Sequence, residues 1–131
     1  MQVAGLPEAD RDQGYYLDTT LVNNAMAEWR FPYHFIDFET AAVALPFHAG
    51  MRPYESLAFQ YSHHVMNANG DVRHVGQFLC AEPGVFPNYD FARALMSELD
   101  GDDGTVFMWS HHENTILNAI SRQLMEDDNP P

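Results

Sequence analysis

Two carboxylates lie two positions apart inside an apolar, aromatic segment, Asp37 and Glu39 within residues 33–40. The segment has the composition of a short strand, so Asp37 and Glu39 should project from one face, and Ile36 and Phe38 from the other, into a core. Carboxylates among apolar side chains are costly unless a cation pairs with them, and Mg²⁺ and Mn²⁺ prefer oxygen ligands. The spacing leaves a second interpretation open, in which both acids simply face water.

Composition limits the class of protein. The chain has 131 residues, 46% of them hydrophobic, which is enough for one domain with a core and excludes a largely disordered chain. No long apolar run predicts a membrane span, no signal peptide is evident at the start, and a single cysteine, Cys80, fits a reducing cytoplasm. The net charge of −13 argues against a broad electrostatic surface for nucleic acid, although it does not exclude a metal-dependent nuclease.

Periodicity predicts an α/β order of elements after a flexible lead-in over residues 1–16. The predicted elements are a helix over about 18–30, strands at 33–40, 55–66, 72–80 and 105–109, and helices at 88–99 and from 110 onward. Asn88 is expected to cap the second helix. The residues expected to face inward from the helices are Leu17, Leu21, Val22, Ala25, Met26 and Trp29 in the first, Phe91, Leu95 and Leu99 in the second, and Ile116, Leu117, Ile120 and Leu124 in the third.

The connection over residues 40–54 is long for a compact domain, and such loops often carry function. Arg52 and Tyr54 lie in it. An arginine near a carboxylate site could hold a phosphate, or it could pair with a surface acid. Both interpretations stay open, with the surface pair slightly favoured.

The histidines suggest zinc as a further candidate. His63 and His64 are adjacent on a predicted strand, and His74 lies on the next one. Adjacent strand residues point to opposite faces, and no cysteine or acid completes the spacing of a structural zinc site. A zinc hydrolase that uses these histidines is therefore the weakest of the functional hypotheses.

Glu113 has two interpretations. Ser110 and Glu113 have the spacing of a capping box, in which the glutamate side chain reaches back to the backbone of the serine. Alternatively, Glu113 lies in the first turn of a helix that follows a strand, where α/β proteins commonly place their sites. From the sequence alone the capping box is somewhat favoured.

A resemblance to known families rests on residues 33–40, on residues 52–54 together with 59–63, and on residues 109–114. With the order of elements, they resemble the first two-thirds of a DnaQ-like (DEDD) 3′–5′ exonuclease of the ribonuclease H fold. More narrowly, they resemble the uncharacterised bacterial family "domain of unknown function 2779". The resemblance covers about residues 20–126. It implies a mixed sheet of three antiparallel strands and a parallel fourth, with flanking helices, so that residues 17–131 form a partial ribonuclease H-like domain.

The resemblance also implies roles for individual residues. Asp37 and Glu39 match the first metal motif of the superfamily, and Glu113 takes the place of the acid of the second, where aspartate is usual. Two Mg²⁺ or Mn²⁺ ions held by these carboxylates would hydrolyse a phosphodiester of nucleic acid, one activating water and the other stabilising the leaving oxygen. Thr40, with Arg52 and Tyr54, would contact the single-stranded end of the substrate.

One part of the superfamily pattern does not occur in this sequence. The third motif, a His or Tyr near a final Asp, should follow the last helix, and His111 and His112 come too early to supply it. We therefore expect a fragment of a longer cytoplasmic protein with further domains. The alternative is a ribonuclease H-fold module that binds or interacts without catalysis.

Overall fold

The computed structural model describes residues 17–127. The predicted lead-in over residues 1–16 therefore lies outside the described residues. The elements, in chain order, are helix α1 (Thr19–Met26), strands β1 (Tyr33–Ala41), β2 (Leu57–Met66) and β3 (Val72–Leu79), helix α2 (Asn88–Leu99), strand β4 (Thr105–Phe107) and helix α3 (His112–Glu126).

The four strands form one mixed sheet in the order β3-β2-β1-β4. β1 pairs antiparallel with β2, β2 pairs antiparallel with β3, and β4 joins the other edge of β1 in parallel. The β2–β3 connection is a tight turn in which the Gly70 amide donates to the Asn67 carbonyl, and Gly70 adopts a φ of 86° that favours glycine. The predicted α/β fold, with three antiparallel strands and a parallel fourth, is confirmed.

One face of the sheet carries the core. Ile36 and Phe38 of β1 are buried there with Ala58 and Tyr61 of β2. The helices α2 and α3 complete this core with Phe91, Leu95, Ile116 and Ile120. The inward prediction for Ile36 and Phe38 is therefore confirmed, and the opposite face of β1 carries Asp37 and Glu39 together with the aromatic residues Tyr33 and Phe35.

The first helix differs from its prediction. α1 ends at Met26 rather than near Arg30, and none of its residues is buried. Asp18 does cap it, accepting a hydrogen bond from the Leu21 amide at 3.0 Å. Most of the predicted inward stripe is exposed, including Leu17, Leu21 and Met26. Trp29, which follows the helix, does meet Tyr33 and Phe107 edge-on. Helical periodicity cannot supply a packing partner by itself.

The later elements carry smaller corrections. Pro87, rather than Asn88, is the N-cap of α2, and Asn88 is fully buried within the helix. β4 stops at Phe107, two residues before its predicted end. Leu117 and Leu124 of α3 are exposed, since the buried stripe of α3 contains only Glu113, Ile116 and Ile120. Leu99 packs partly buried against the core.

Candidate functional site

The strand that carries the two carboxylates alternates in burial from His34 to Glu39. Ile36 and Phe38 are buried, whereas Asp37 and Glu39 are exposed on the opposite face. The pairing of β1 with β2 shifts register directly after Glu39, between Glu39 and Thr40. Such an irregularity changes the direction of the side chains that follow, and it is a frequent feature next to functional sites.

An open groove of about 830 Å³ lies where β1, β4 and the start of α3 meet. Asp37 and Glu113 both line it, while Glu39 does not. The remaining lining residues are mainly aromatic or small polar: Phe35, Ile36, Phe38, Ser62, His64, Phe107, Met108, Trp109, Ser110 and His112. The parallel pairing of β4 with β1 brings Glu113 to Asp37, because α3 begins five residues after β4 ends.

Glu113 does not form the predicted capping box. The N-cap of α3 is His111, no side chain caps the helix, and Ser110 Oγ accepts its hydrogen bond from the His112 amide at 3.1 Å. Glu113 is instead only 8% exposed, and its Oε2 is the one buried side-chain N or O atom among residues 17–127 without a hydrogen-bond partner. Buried polar groups are nearly always paired, so this oxygen is a position where a ligand would be stabilised.

Replacing Glu113 with methionine is expected to raise the free energy of unfolding in metal-free buffer. The substitution removes a buried carboxylate oxygen without a partner and keeps a flexible side chain of similar length, which should stabilise the fold by about 1–3 kcal/mol. Urea denaturation of both proteins measures the difference. The matched control is Glu82→Met on an exposed loop, expected to have little effect. A Glu113→Met protein less stable than the original would show that the carboxylate is satisfied within the fold.

Thr40 lies beside the start of α3. Its Oγ1 is 3.1 Å from Nε2 of His112, so that a hydrogen bond links the end of β1 to the first residue of the helix. This contact helps to hold the helix end that carries Glu113 against β1. Thr40 itself is not among the residues that line the groove, and its contact with substrate stays a prediction.

Arg52 and Tyr54 lie elsewhere. Both line a second cleft, between the 42–56 connection and the C-terminal half of α3. The Arg52 guanidinium donates to Glu126 at 2.9 Å, and both side chains are largely exposed. The interpretation of Arg52 as a surface residue that pairs with an acid thus matches the structure, and neither residue lines the groove with Asp37 and Glu113.

Sequence reasoning missed the aromatic wall of the groove. Phe35 of β1 and Phe107 of β4 stack with centroids 5.4 Å apart, and Trp109 is 97% exposed just beyond β4. The available signal was the run of aromatic and methionine residues over 107–109, directly before the predicted start of the last helix. An apolar run after a turn predicts a strand, which accounts for Phe107, but Met108 and Trp109 lie beyond the end of β4.

The histidines separate as their positions predict. His63 is 1% exposed on the core face, whereas His64 lines the groove and its ring lies 4.9 Å from that of His74. Within residues 17–127, no group of three or more histidine, cysteine, aspartate or glutamate side chains is arranged to hold a metal ion by protein ligands alone.

The sheet and the groove define an α/β domain of mixed strand order with a carboxylate-bearing groove at the β1–β4 edge. A family model described as "Domain of unknown function (DUF2779)" matches residues 34–130. The chain belongs to this family. No curated protein and no solved structure matched it. None of the helices within residues 17–127 is both long and apolar enough to span a membrane.

Proposed function

We propose that this chain carries the metal-binding part of a 3′–5′ exonuclease that hydrolyses phosphodiesters at a single-stranded end of nucleic acid, in the manner of DnaQ-like enzymes. One observation carries the proposal. Glu113 is buried with an oxygen that has no hydrogen-bond partner among residues 17–127, and it lines the same groove as Asp37. Two carboxylates in one groove, one of them unsatisfied, favour a site for a hard divalent cation.

The residues present fit Mg²⁺ or Mn²⁺. Mg²⁺ is usually bound through one or two carboxylates and keeps waters or substrate phosphates as its other ligands, so a groove with two carboxylates is sufficient. Asp37 and Glu113 would hold the ion. Glu39 lies two residues along the same face of β1 and would act as a ligand to a second ion bound beyond the groove. When bound, such ions supply a nucleophile from water at neutral pH and neutralise charge on a phosphodiester.

The rest of the groove suits a single-stranded end better than a duplex. Phe35, Phe107 and Trp109 offer aromatic surface on which bases can stack, a mode of binding that needs no particular sequence. No arginine or lysine is among the lining residues. The phosphate would therefore depend on the bound cation for its charge partner, which is consistent with a chain of net charge −13.

The proposal predicts Mn²⁺ binding that depends on Asp37. In a calorimetric titration of the full chain, we expect one site or two, and at least a hundredfold weaker binding in Asp37→Ala, because the ion loses a charged ligand. Asp90→Ala is the matched control, since Asp90 is exposed on α2 and pairs with Arg93 rather than lining the groove. Equal affinities in the original and Asp37→Ala, or binding in neither, would contradict the proposal.

A second candidate function is an interaction module without catalysis. The observation that favours it is the exposed apolar surface at Met108 and Trp109, together with the lack of a three-ligand metal cluster within residues 17–127. Under this hypothesis a fluorescent single-stranded oligonucleotide binds equally well with EDTA and with Mn²⁺, and it is not shortened. Under the nuclease hypothesis, binding or shortening requires the cation and is lost in Asp37→Ala.

A further inference from the structure

Away from the groove, a continuous chain of hydrogen bonds crosses the core face of the sheet between two carboxylates. Asp102 Oδ1 lies 3.0 Å from Nε2 of His34, and Nδ1 of His34 lies 2.9 Å from Nε2 of His63. Nδ1 of His63 lies 2.8 Å from Oε2 of Glu98. The two imidazoles are 3% and 1% exposed, so water cannot replace any of these contacts cheaply.

The geometry fixes the number of protons in this series of hydrogen bonds. Every one of its three contacts is a hydrogen bond only if a proton lies in it. The outer nitrogens, Nε2 of His34 and Nδ1 of His63, face carboxylate oxygens and must both donate. The inner contact needs one proton, and a second proton there would set two N–H groups against each other at 2.9 Å. Three protons on four ring nitrogens make one imidazole and one imidazolium.

The two terminal carboxylates are held as acceptors by other donors. Asp102 Oδ1 also accepts from the Gly104 amide at 2.8 Å, and this bond, followed by that to His34, lowers the pKa of Asp102. Glu98 Oε1 accepts from the Tyr61 hydroxyl at 2.8 Å, and burial first and this bond second raise the pKa of Tyr61. Tyr61 thus keeps its proton. A carboxylate is also a weaker base than an imidazole, so the third proton belongs to the histidines.

We propose that His34 and His63 share one proton across their facing nitrogens and carry one positive charge between them, as a proton-dependent clamp between Asp102 and Glu98. The clamp joins the last turn of α2 and the loop that leads into β4 to the two central strands. β4 pairs with β1 over only three residues, so the bond from His34 to Asp102 supports an edge that few ladder bonds hold. The proposal is independent of any metal or nuclease activity.

Two glycines make room for the ends of the clamp. A Cβ at Gly76, which lies opposite His63 on β3, would collide with the carboxylate of Glu98. A Cβ at Gly104 would collide with the Pro32 carbonyl and crowd His34 Nε2 and Asp102 Oδ1. Larger residues at either position would displace a carboxylate from its imidazole.

Among residues 17–127, the charged groups bonded to the two imidazoles are Asp102 and Glu98. β3 presents Gly76 opposite His63. The titratable His74 lies opposite His64 with its ring against that of His64, and Arg73 is exposed and lies opposite Val65. α2 contributes Glu98 and the loop contributes Asp102, while β2 adds the neutral hydroxyl of Tyr61. The local charge of the four groups is therefore −1 with three protons bound.

The shared proton predicts a peaked dependence of stability on pH. Histidines in an unfolded chain titrate near pH ~6.5. Two unfolded histidines therefore carry four ring protons in total well below that pH, and two ring protons in total well above it. The folded pair binds three. At acid pH the unfolded state thus binds more protons than the folded pair, and at alkaline pH it binds fewer. The free energy of unfolding therefore falls in both directions from about pH 6.5. Each limb approaches a tenfold change in the folding equilibrium constant per pH unit.

The direct test is nitrogen NMR of the full, uniformly ¹⁵N-labelled chain near pH 6.5. We expect ring nitrogen shifts that report three bound protons on His34 and His63 together, and a scalar coupling across the hydrogen bond between Nδ1 of His34 and Nε2 of His63. Two or four bound protons, or no coupling between these nitrogens, would overturn the proposal. This measurement needs no variant, so it stands even if substitution prevents folding.

The second test compares denaturant unfolding from pH 5 to pH 8 in two double variants. His34→Gln/His63→Gln removes the clamp, and His74→Gln/His111→Gln removes two exposed histidines outside it. The stability of the original minus that of the clamp variant should peak near pH 6.5. The stability of the exposed-histidine variant minus that of the clamp variant should show the same peak. A difference that does not change with pH would contradict a shared proton.

Discussion

Replacing Phe91 with alanine is expected to lower the free energy of unfolding by about 3–5 kcal/mol. Phe91 is fully buried, and its ring makes edge contacts with Phe38, Tyr61 and Phe78 at centroid distances of 4.8, 5.2 and 5.6 Å. Truncation leaves a cavity among three aromatic rings that cannot collapse without moving α2 away from the sheet. A domain of this size has roughly 5–15 kcal/mol of stability, so the loss is a large part of it.

Urea denaturation followed by circular dichroism measures this loss. The control is Met96→Ala on the same helix, because Met96 is 72% exposed and its truncation should change stability by about 0.5 kcal/mol or less. If Phe91→Ala cost no more than Met96→Ala, α2 would not be packed on the sheet as described. The same variant should weaken Mn²⁺ binding only as far as it unfolds the chain, since Phe91 does not line the groove.

Replacing Asn88 with alanine should produce the second large effect, a loss of about 2–4 kcal/mol, since buried polar groups lose their partners. Asn88 Oδ1 accepts from the Ala58 amide at 2.7 Å, and its Nδ2 donates to the Ser56 carbonyl at 3.0 Å and to Gln123 Oε1 at 2.6 Å. Alanine would leave the fully buried Ala58 amide without an acceptor. It would also remove the link between the start of α2 and the far half of α3.

Asn118→Ala is the comparison for Asn88→Ala, because Asn118 is exposed and bonds only within α3, to Asn114. Alanine favours a helix, so that variant should be unchanged or slightly more stable. Hydrogen exchange of the Ala58 amide gives a local measurement, with faster exchange expected in Asn88→Ala alone. Unchanged exchange would show that the side chain does not satisfy this amide.

The two large effects bear on the candidate site because the core positions it. Phe91 and Asn88 hold α2 and α3 to the sheet, and α3 carries Glu113 in its first turn. The groove therefore depends on a core that lies on the other face of β1 from Asp37. A destabilised core and the loss of a metal ligand such as Asp37 would both reduce metal binding. Urea denaturation of each variant separates the two causes, because only a core substitution lowers the free energy of unfolding strongly.

The elements could largely be predicted from local patterns. Alternation predicts that Ile36 and Phe38 face the core and that Asp37 and Glu39 face the other way, as the structure shows. The same reasoning failed for α1, none of whose residues is buried. It also assigned Asn88 to a cap, although burial against Ala58 gives its amide group better partners.

The sequence by itself determined the order of the strands and helices and the pair of carboxylates on β1, because both follow from local periodicity. The mixed strand order was implied only by the family resemblance. Only the tertiary structure decided which acids meet. The parallel pairing of β4 with β1 brings Glu113 to the groove of Asp37 and leaves Arg52 in another cleft, paired with Glu126. It also stacked His34 on His63, 29 residues apart, between two carboxylates. Such contacts join residues distant in the chain, and no local pattern encodes their distance.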